Sequence, residues 1–147
     1  MLVNIIGGSK AQKKHARGMV EFCVKMLMPR MRTLDITVRL CKPQGAMGYC
    51  LETDNDRTFE IELDKTQSMR NLLETLAHEM VHVKQYSRKE LKEDFPRTLW
   101  FNKEYNDGRC YPWEREAWDM QSILAHKYIK QHKLGTIKVL KSLDKRS

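Results

Sequence analysis

The chain has 147 residues, of which 41% are hydrophobic and 31% charged, and it carries a net charge of +8. That length supports one domain around one core, with the composition of a soluble globular protein. No apolar run approaches the ~20 residues of a membrane span, and Met1–Ile6 is too short and too uncharged for the core of a secretory leader, so a cytoplasmic protein is expected.

Gly7 and Gly8 break the chain before Ser9, a residue suited to cap a helix. From Ser9 to Met28 the pattern is helical, with Met19, Cys23, Met26 and Leu27 on one stripe and Lys10, Lys13, Lys14 and Arg17 on the polar side; Pro29 ends it. Residues 34–40 alternate strictly, Leu34, Ile36, Val38 and Leu40 against Asp35, Thr37 and Arg39, which predicts a half-buried strand. Pro43, Gln44 and Gly45 make a turn, and Met47–Thr53 reads as a second strand. After a polar loop at residues 54–57, Phe59–Asp64 alternates again, with Phe59, Ile61 and Leu63 inward. Three short strands with tight links predict a three-stranded, mostly antiparallel sheet.

Residues 66–90 read as a long helix with Leu72, Leu76, Met80 and Val83 as its apolar stripe. A mixed, aromatic-rich segment follows from Asp94 to Tyr111. Pro112 is placed to start a third helix over Trp113–His132, with Gly135 closing it and a basic tail from about residue 134. No repeat or linker divides the chain, so residues 1–147 are expected to form a single α+β domain. The four cysteines, Cys23, Cys41, Cys50 and Cys110, contain no C-x-x-C pair and are expected as reduced thiols.

Chemistry concentrates on the long helix, in His78-Glu79-Met80-Val81-His82. At 100° per residue, His78 and His82 lie about 40° apart on one face, so both imidazoles can meet one ion. Glu79, one residue round, can reach a water held there and serve as general base. Five-residue H-E-x-x-H matches arise by chance, but apolar neighbours on a helix frame this one: Leu76, Ala77, Met80, Val81 and Val83. Catalytic zinc needs a third protein ligand, and the segment from Pro112 to Asp119 offers carboxylates on the next helix.

The segments His78–Gln85 (HEMVHVKQ) and Pro112–Ala117 (PWEREA) resemble the gluzincin-type zinc metallopeptidases, above all the small SprT-like and phage-encoded metallopeptidase domains. The resemblance spans roughly residues 34–130, and its specific part is those two segments. It implies a small zincin-like domain, a Zn²⁺ cofactor, peptide or protein as substrate, and the host cytoplasm as location if the chain is phage-encoded. The gluzincin signature E-x-x-A, whose first Glu is a ligand, matches Glu114 three residues before Ala117. Trp118 stands where that family has Asp or Asn, and Asp119 comes one later, so Glu116 remains the alternative third ligand. The other glutamate is expected to hydrogen-bond a ligating histidine. Some SprT-like domains use a third histidine; His126 and His132 lie outside the matching segment and are expected on the surface.

Around this site, Tyr105, Arg109 and Tyr111 are candidate oxyanion donors, with packing or surface roles as the alternative. The strand Phe59–Asp64 is a candidate edge for a peptide substrate, and Trp100 and Phe101 could line a side-chain pocket or pack in the core. The charge is uneven: residues 1–40 carry +6, residues 41–126 carry −4 and residues 127–147 carry +6. Basic ends are compatible with a nucleic-acid contact, in line with the resemblance, but charge runs of this kind are usually solvated helix faces and a tail. Two other functions stay open: a catalytically inactive zinc-stabilised binding module, and a nucleic-acid-associated protein that has lost activity.

Overall fold

A computed structural model describes residues 1–43, 45–53, 55–105, 111–135, 141 and 143. Its elements in chain order are β1 (Leu2–Ile6), α1 (Lys10–Leu27), β2 (Asp35–Cys41), β3 (Gly48–Glu52), β4 (Thr58–Asp64), α2 (Met69–Ser87), β5 (Leu91–Asp94), β6 (Arg97–Trp100), β7 (Lys103–Glu104) and α3 (Pro112–Gln131). The protein is a small mixed α+β structure. Among the described residues no helix is long and apolar enough to cross a membrane.

The main sheet differs from expectation in number and direction of strands. It has four, in the order β1-β2-β4-β3, with β1, β2 and β4 parallel and only β3 antiparallel. Leu2–Ile6, considered above as a secretory leader and set aside as too short, with no element assigned to it, is a strand whose Leu2 pairs with Asp35. Its parallel register requires a crossover, which α1 supplies. Strand β4 inserts between β2 and β3, so Phe59–Asp64 is paired on both sides and is not an edge. The edge on that side is β3. Alternating burial is the same in parallel and antiparallel strands, so the pattern assigned the faces correctly while leaving direction unmarked.

Those faces are as expected. Leu34, Ile36, Val38, Leu40, Phe59, Ile61 and Leu63 are buried, and α1 and α2 share one hydrophobic core with them. Ser9 caps α1 through a reciprocal pair: its hydroxyl accepts from Gln12 N–H at 3.1 Å and its own N–H donates to Gln12 Oε1 at 2.9 Å. The buried stripe of α1 runs His15, Ala16, Met19, Val20, Cys23, Val24 and Leu27. Met26 is 45% exposed, because the stripe turns toward Val20 and Val24 instead.

Helix α2 begins at the Ser68 cap and is shorter at both ends than residues 66–90. Its stripe of Leu72, Leu76, Met80 and Val83 is fully buried. It ends where Lys89 turns left-handed at φ 61° and Glu90 N–H reaches back to Gln85 O at 2.9 Å. Helix α3 ends the same way through Lys133, at φ 56°, with Leu134 N–H on Ile129 O. Gly135 therefore does not close the helix; a lysine takes the position where glycine is usual. The segment after α2 holds a second sheet, β5-β6-β7, that the sequence did not announce, since its strands are only two to four residues long.

Candidate metal centre

Helices α2 and α3 pack side by side, and the facing turns bring the predicted residues together. His78 and His82 share a face, their ring centroids 4.9 Å apart. From α3, Glu114 Oε1 lies 2.5 Å from His82 Nε2 and 3.5 Å from His78 Nε2. His78, Glu79 and His82 also bring one ligand atom each within 4.8 Å of the others. Of the two carboxylates, Glu114 meets both Nε2 atoms directly, so it is the one that could share an ion with them. Atoms around a tetrahedral zinc with ~2.0–2.1 Å bonds sit roughly 3.3 Å apart. The His78 separation is close to that; the His82 contact is shorter because it is a hydrogen bond.

Behind each imidazole stands a glutamine. His78 Nδ1 is 2.8 Å from Gln121 Oε1, and His82 Nδ1 is 2.8 Å from Gln85 Oε1. With both Nδ1 atoms occupied, the Nε2 atoms are the ones available to an ion, and the set of two imidazoles and one carboxylate suits zinc. Glu116, the alternative ligand, points elsewhere. Its Oε1 accepts from Lys84 Nζ at 2.9 Å and Gln85 Nε2 at 3.0 Å. It therefore touches neither histidine; the expected hydrogen bond to a ligating histidine comes from Gln85 instead.

The two site glutamates differ in electrostatics. Glu114 is held well below the ordinary carboxylate range by its hydrogen bonds to His78 and His82, against a smaller effect of burial. Glu79 is raised, chiefly by burial; His82 and His78 oppose that shift and Glu114 adds to it. Glu79 is 5% exposed and its Oε2 has no hydrogen-bond partner among the described residues. An orphaned buried carboxyl oxygen beside two histidines is costly unless it has a use.

A cavity of about 580 Å³ adjoins these groups, lined on the sheet side by Met47, Gly48, Tyr49 and Cys50 and on the helix side by Trp118 and Gln121. Gly48 sets the closeness of that wall: a Cβ there would lie 2.8 Å from Thr75 Cγ2 on α2. Trp118, where the family pattern calls for Asp or Asn, tilts against His78 at 6.3 Å.

The other predicted neighbours are not brought into the cavity. Trp100 and Tyr105 pack on Trp113, and Tyr111 stacks on it at 4.3 Å. Phe101 is 61% exposed against Trp100. His126 is exposed, and His132 stacks on Tyr128 at the far end of α3. Arg109, Cys110 and most of the basic tail lie outside the described residues, while Cys23, Cys41 and Cys50 are free thiols. Sequence reasoning quoted Gln85 without giving it a role and missed Gln121, Tyr49 and Tyr86. Helical spacing was the available signal: Gln85 follows His82 by three residues and Gln121 follows Glu114 by seven. Comparison with protein-family models, with curated proteins and with solved structures found no match.

Proposed function

We propose that this protein is a zinc-dependent metallopeptidase of the zincin-like, SprT-like kind. His78, His82 and Glu114 would hold the ion. The observation that carries the reading is Glu114 Oε1 facing both histidine Nε2 atoms from a separate helix. A bound zinc supplies Lewis acidity, bringing the pKa of a water toward ~7 and polarising a carbonyl.

The chain's own part is proton handling and orientation. Glu79 Oε2, raised by burial and without a hydrogen-bond partner, takes a proton from water and returns it to the leaving amine. Two carboxylates pushed in opposite directions divide the labour: Glu114 stays ionised as ligand, Glu79 cycles. Among the described residues strand β3 has one side unpaired, and its residues line the cavity, so an extended peptide would add to that edge, with main-chain hydrogen bonds holding it. A purely structural zinc site has no need of a buried acid/base carboxyl, which is what favours catalysis over a binding module.

The test is Glu79→Gln. The purified variant should keep about one zinc per chain. It should cleave a peptide library ~10²–10⁴-fold more slowly than wild type. Cleavage at the wild-type rate, or wild-type protein that takes up no zinc, would overturn the reading.

A further inference from the structure

Glu116 and Lys84 lie one shell behind the histidines, and their hydrogen bonds have a definite direction. Gln85 is fully buried and its amide makes three contacts. Nε2 lies 2.9 Å from Trp113 O and 3.0 Å from Glu116 Oε1, while Oε1 lies 2.8 Å from His82 Nδ1. A peptide carbonyl can only accept. Glu116 Oε1 already accepts from Lys84 Nζ at 2.9 Å, so it too is an acceptor. The Gln85 amide must therefore aim both N–H groups at these two oxygens. The flipped amide would set oxygen against two acceptors in a buried site, at the cost of two hydrogen bonds.

We infer that the relay Lys84–Glu116–Gln85 keeps His82 Nδ1 protonated and so leaves Nε2, the nitrogen facing Glu114, as the one that gives up its proton to a metal. The amide oxygen facing His82 carries no proton, so the 2.8 Å contact exists only if Nδ1 donates. The relay is anchored from two elements. Lys84, itself only 8% exposed, stands on α2 and Glu116 on α3, and Glu90 pairs in charge with Lys84 at 3.0 Å. It therefore ties the two ligand-bearing helices together at the point where they must stay in register. His78 has no such backing. Gln121 contacts its Nδ1, but among the described residues the Gln121 amide nitrogen has no hydrogen-bond partner that would fix the amide's direction. Lys84, Glu116 and Gln85 are positioning residues, and their role as such rests on the reading of His82 as a ligand through Nε2.

Histidine ¹⁵N NMR on the full chain, with and without zinc, tests the inference. In wild type, His82 should show a protonated Nδ1 in both states, shielded from rapid solvent exchange. Glu116→Gln keeps an acceptor for Gln85 and Lys84, so it should retain that signature and a near-wild-type zinc affinity. Glu116→Ala leaves Trp113 O as the one acceptor holding the Gln85 amide, so the Nδ1 proton should exchange faster with solvent and zinc should bind ~10–100-fold more weakly in competition with a chelator. An unprotonated His82 Nδ1 in wild type would overturn the inference without any variant. So would a folded Glu116→Ala with unchanged zinc affinity and an unchanged His82 spectrum. The two readings can fail separately. If the protein takes up no zinc the metallopeptidase reading falls, while the metal-free spectra still decide whether Glu116 sets the His82 proton.

Discussion

Helix α3 meets a buried histidine at each of its ends, and the two encounters have opposite chemistry. At its N-terminal end Glu114 faces His78 and His82 of α2, beside a cavity. Toward its C-terminal end the Tyr128 hydroxyl meets His15 Nδ1 of α1 at 2.9 Å, with Phe22 edge-on to the tyrosine ring. Burial lowers the pKa of both His82 and His15. At His82, burial is opposed by hydrogen bonds to Glu114 and Gln85 and by the charges of Glu114 and Glu79, and the net shift is upward. At His15 nothing opposes it; Lys14 and His132 push the same way and the net shift is downward. A buried histidine is thus no mark of a site. What separates a metal-competent imidazole from a packing one is the partner on the ring nitrogen, a carboxylate in one case and a phenol in the other.

The largest effect should come from cutting the packing end. Tyr128 is 1% exposed and its hydroxyl is pushed up to about 12, chiefly by burial. Tyr128→Ala leaves a cavity between α1 and α3 and should cost about 3–5 kcal/mol by analogy with other large aromatic truncations. Urea denaturation measures this. Zinc bound per folded chain should stay at the wild-type value; loss of metal from the folded variant would show that the two ends are not independent.

At the other end the variant to make is Glu114→Ala. It removes a proposed ligand, so zinc affinity should fall by more than the ~10–100-fold expected of Glu116→Ala, a change one shell further out. Chelator competition on both proteins gives the order. If Glu116→Ala proves the more damaging, the ligand assignment belongs to Glu116.

Gly18 probes how tightly the packing end is closed. Alanine in a helix normally gains ~1 kcal/mol over glycine. Here a Cβ would lie 2.5 Å from the Tyr128 hydroxyl oxygen, and Tyr128 is too buried to swing away. Overpacking of this kind costs about 1–3 kcal/mol, so Gly18→Ala should be neutral to destabilising. A clear gain in stability would mean that Tyr128 moves freely. Comparing its zinc affinity with wild type extends the independence test to a milder change.

The candidate-site end was legible from sequence because its spacing is short-range. His78, Glu79 and His82 fall on one helix, and Glu114 was reached by matching a second short segment rather than by geometry. The structure places Glu114 against both histidines and Glu116 against Lys84 and Gln85. The packing end was illegible for the converse reason. His15 and Tyr128 are 113 residues apart, on helices whose stripes look like any other core face. The sheet shows the same division. Inward residues such as Ile36 and Ile61 follow from alternation, whereas the insertion of β4 between β2 and β3 is a long-range pairing that alternation does not encode. Strand β1 was missed because Leu2–Ile6 was weighed only against a secretory leader, and five residues with no turn signal before them carry little strand signal of their own.

The smallest effect expected is a pH dependence confined to the packing end. His15 is 5% exposed and its folded pKa lies below the ordinary 6.5. As pH drops through 6.5 the unfolded chain takes up a proton that the folded chain refuses. The unfolded state then binds more protons, so this contribution to stability is fully present above about pH 6.5 and is lost as pH falls toward the folded pKa. His15→Gln keeps a polar group for the Tyr128 hydroxyl but cannot be protonated in this range. Wild type should therefore lose stability relative to His15→Gln between pH 7.5 and pH 5.5, measured by denaturant unfolding at each pH. Acid effects on the carboxylates and on His82 are common to both proteins and cancel in the difference. If the gap between the two is the same at both pH values, His15 is not held neutral. Its hydrogen bond to Tyr128 would then survive protonation of the ring, and the contrast with His82 would have to be redrawn.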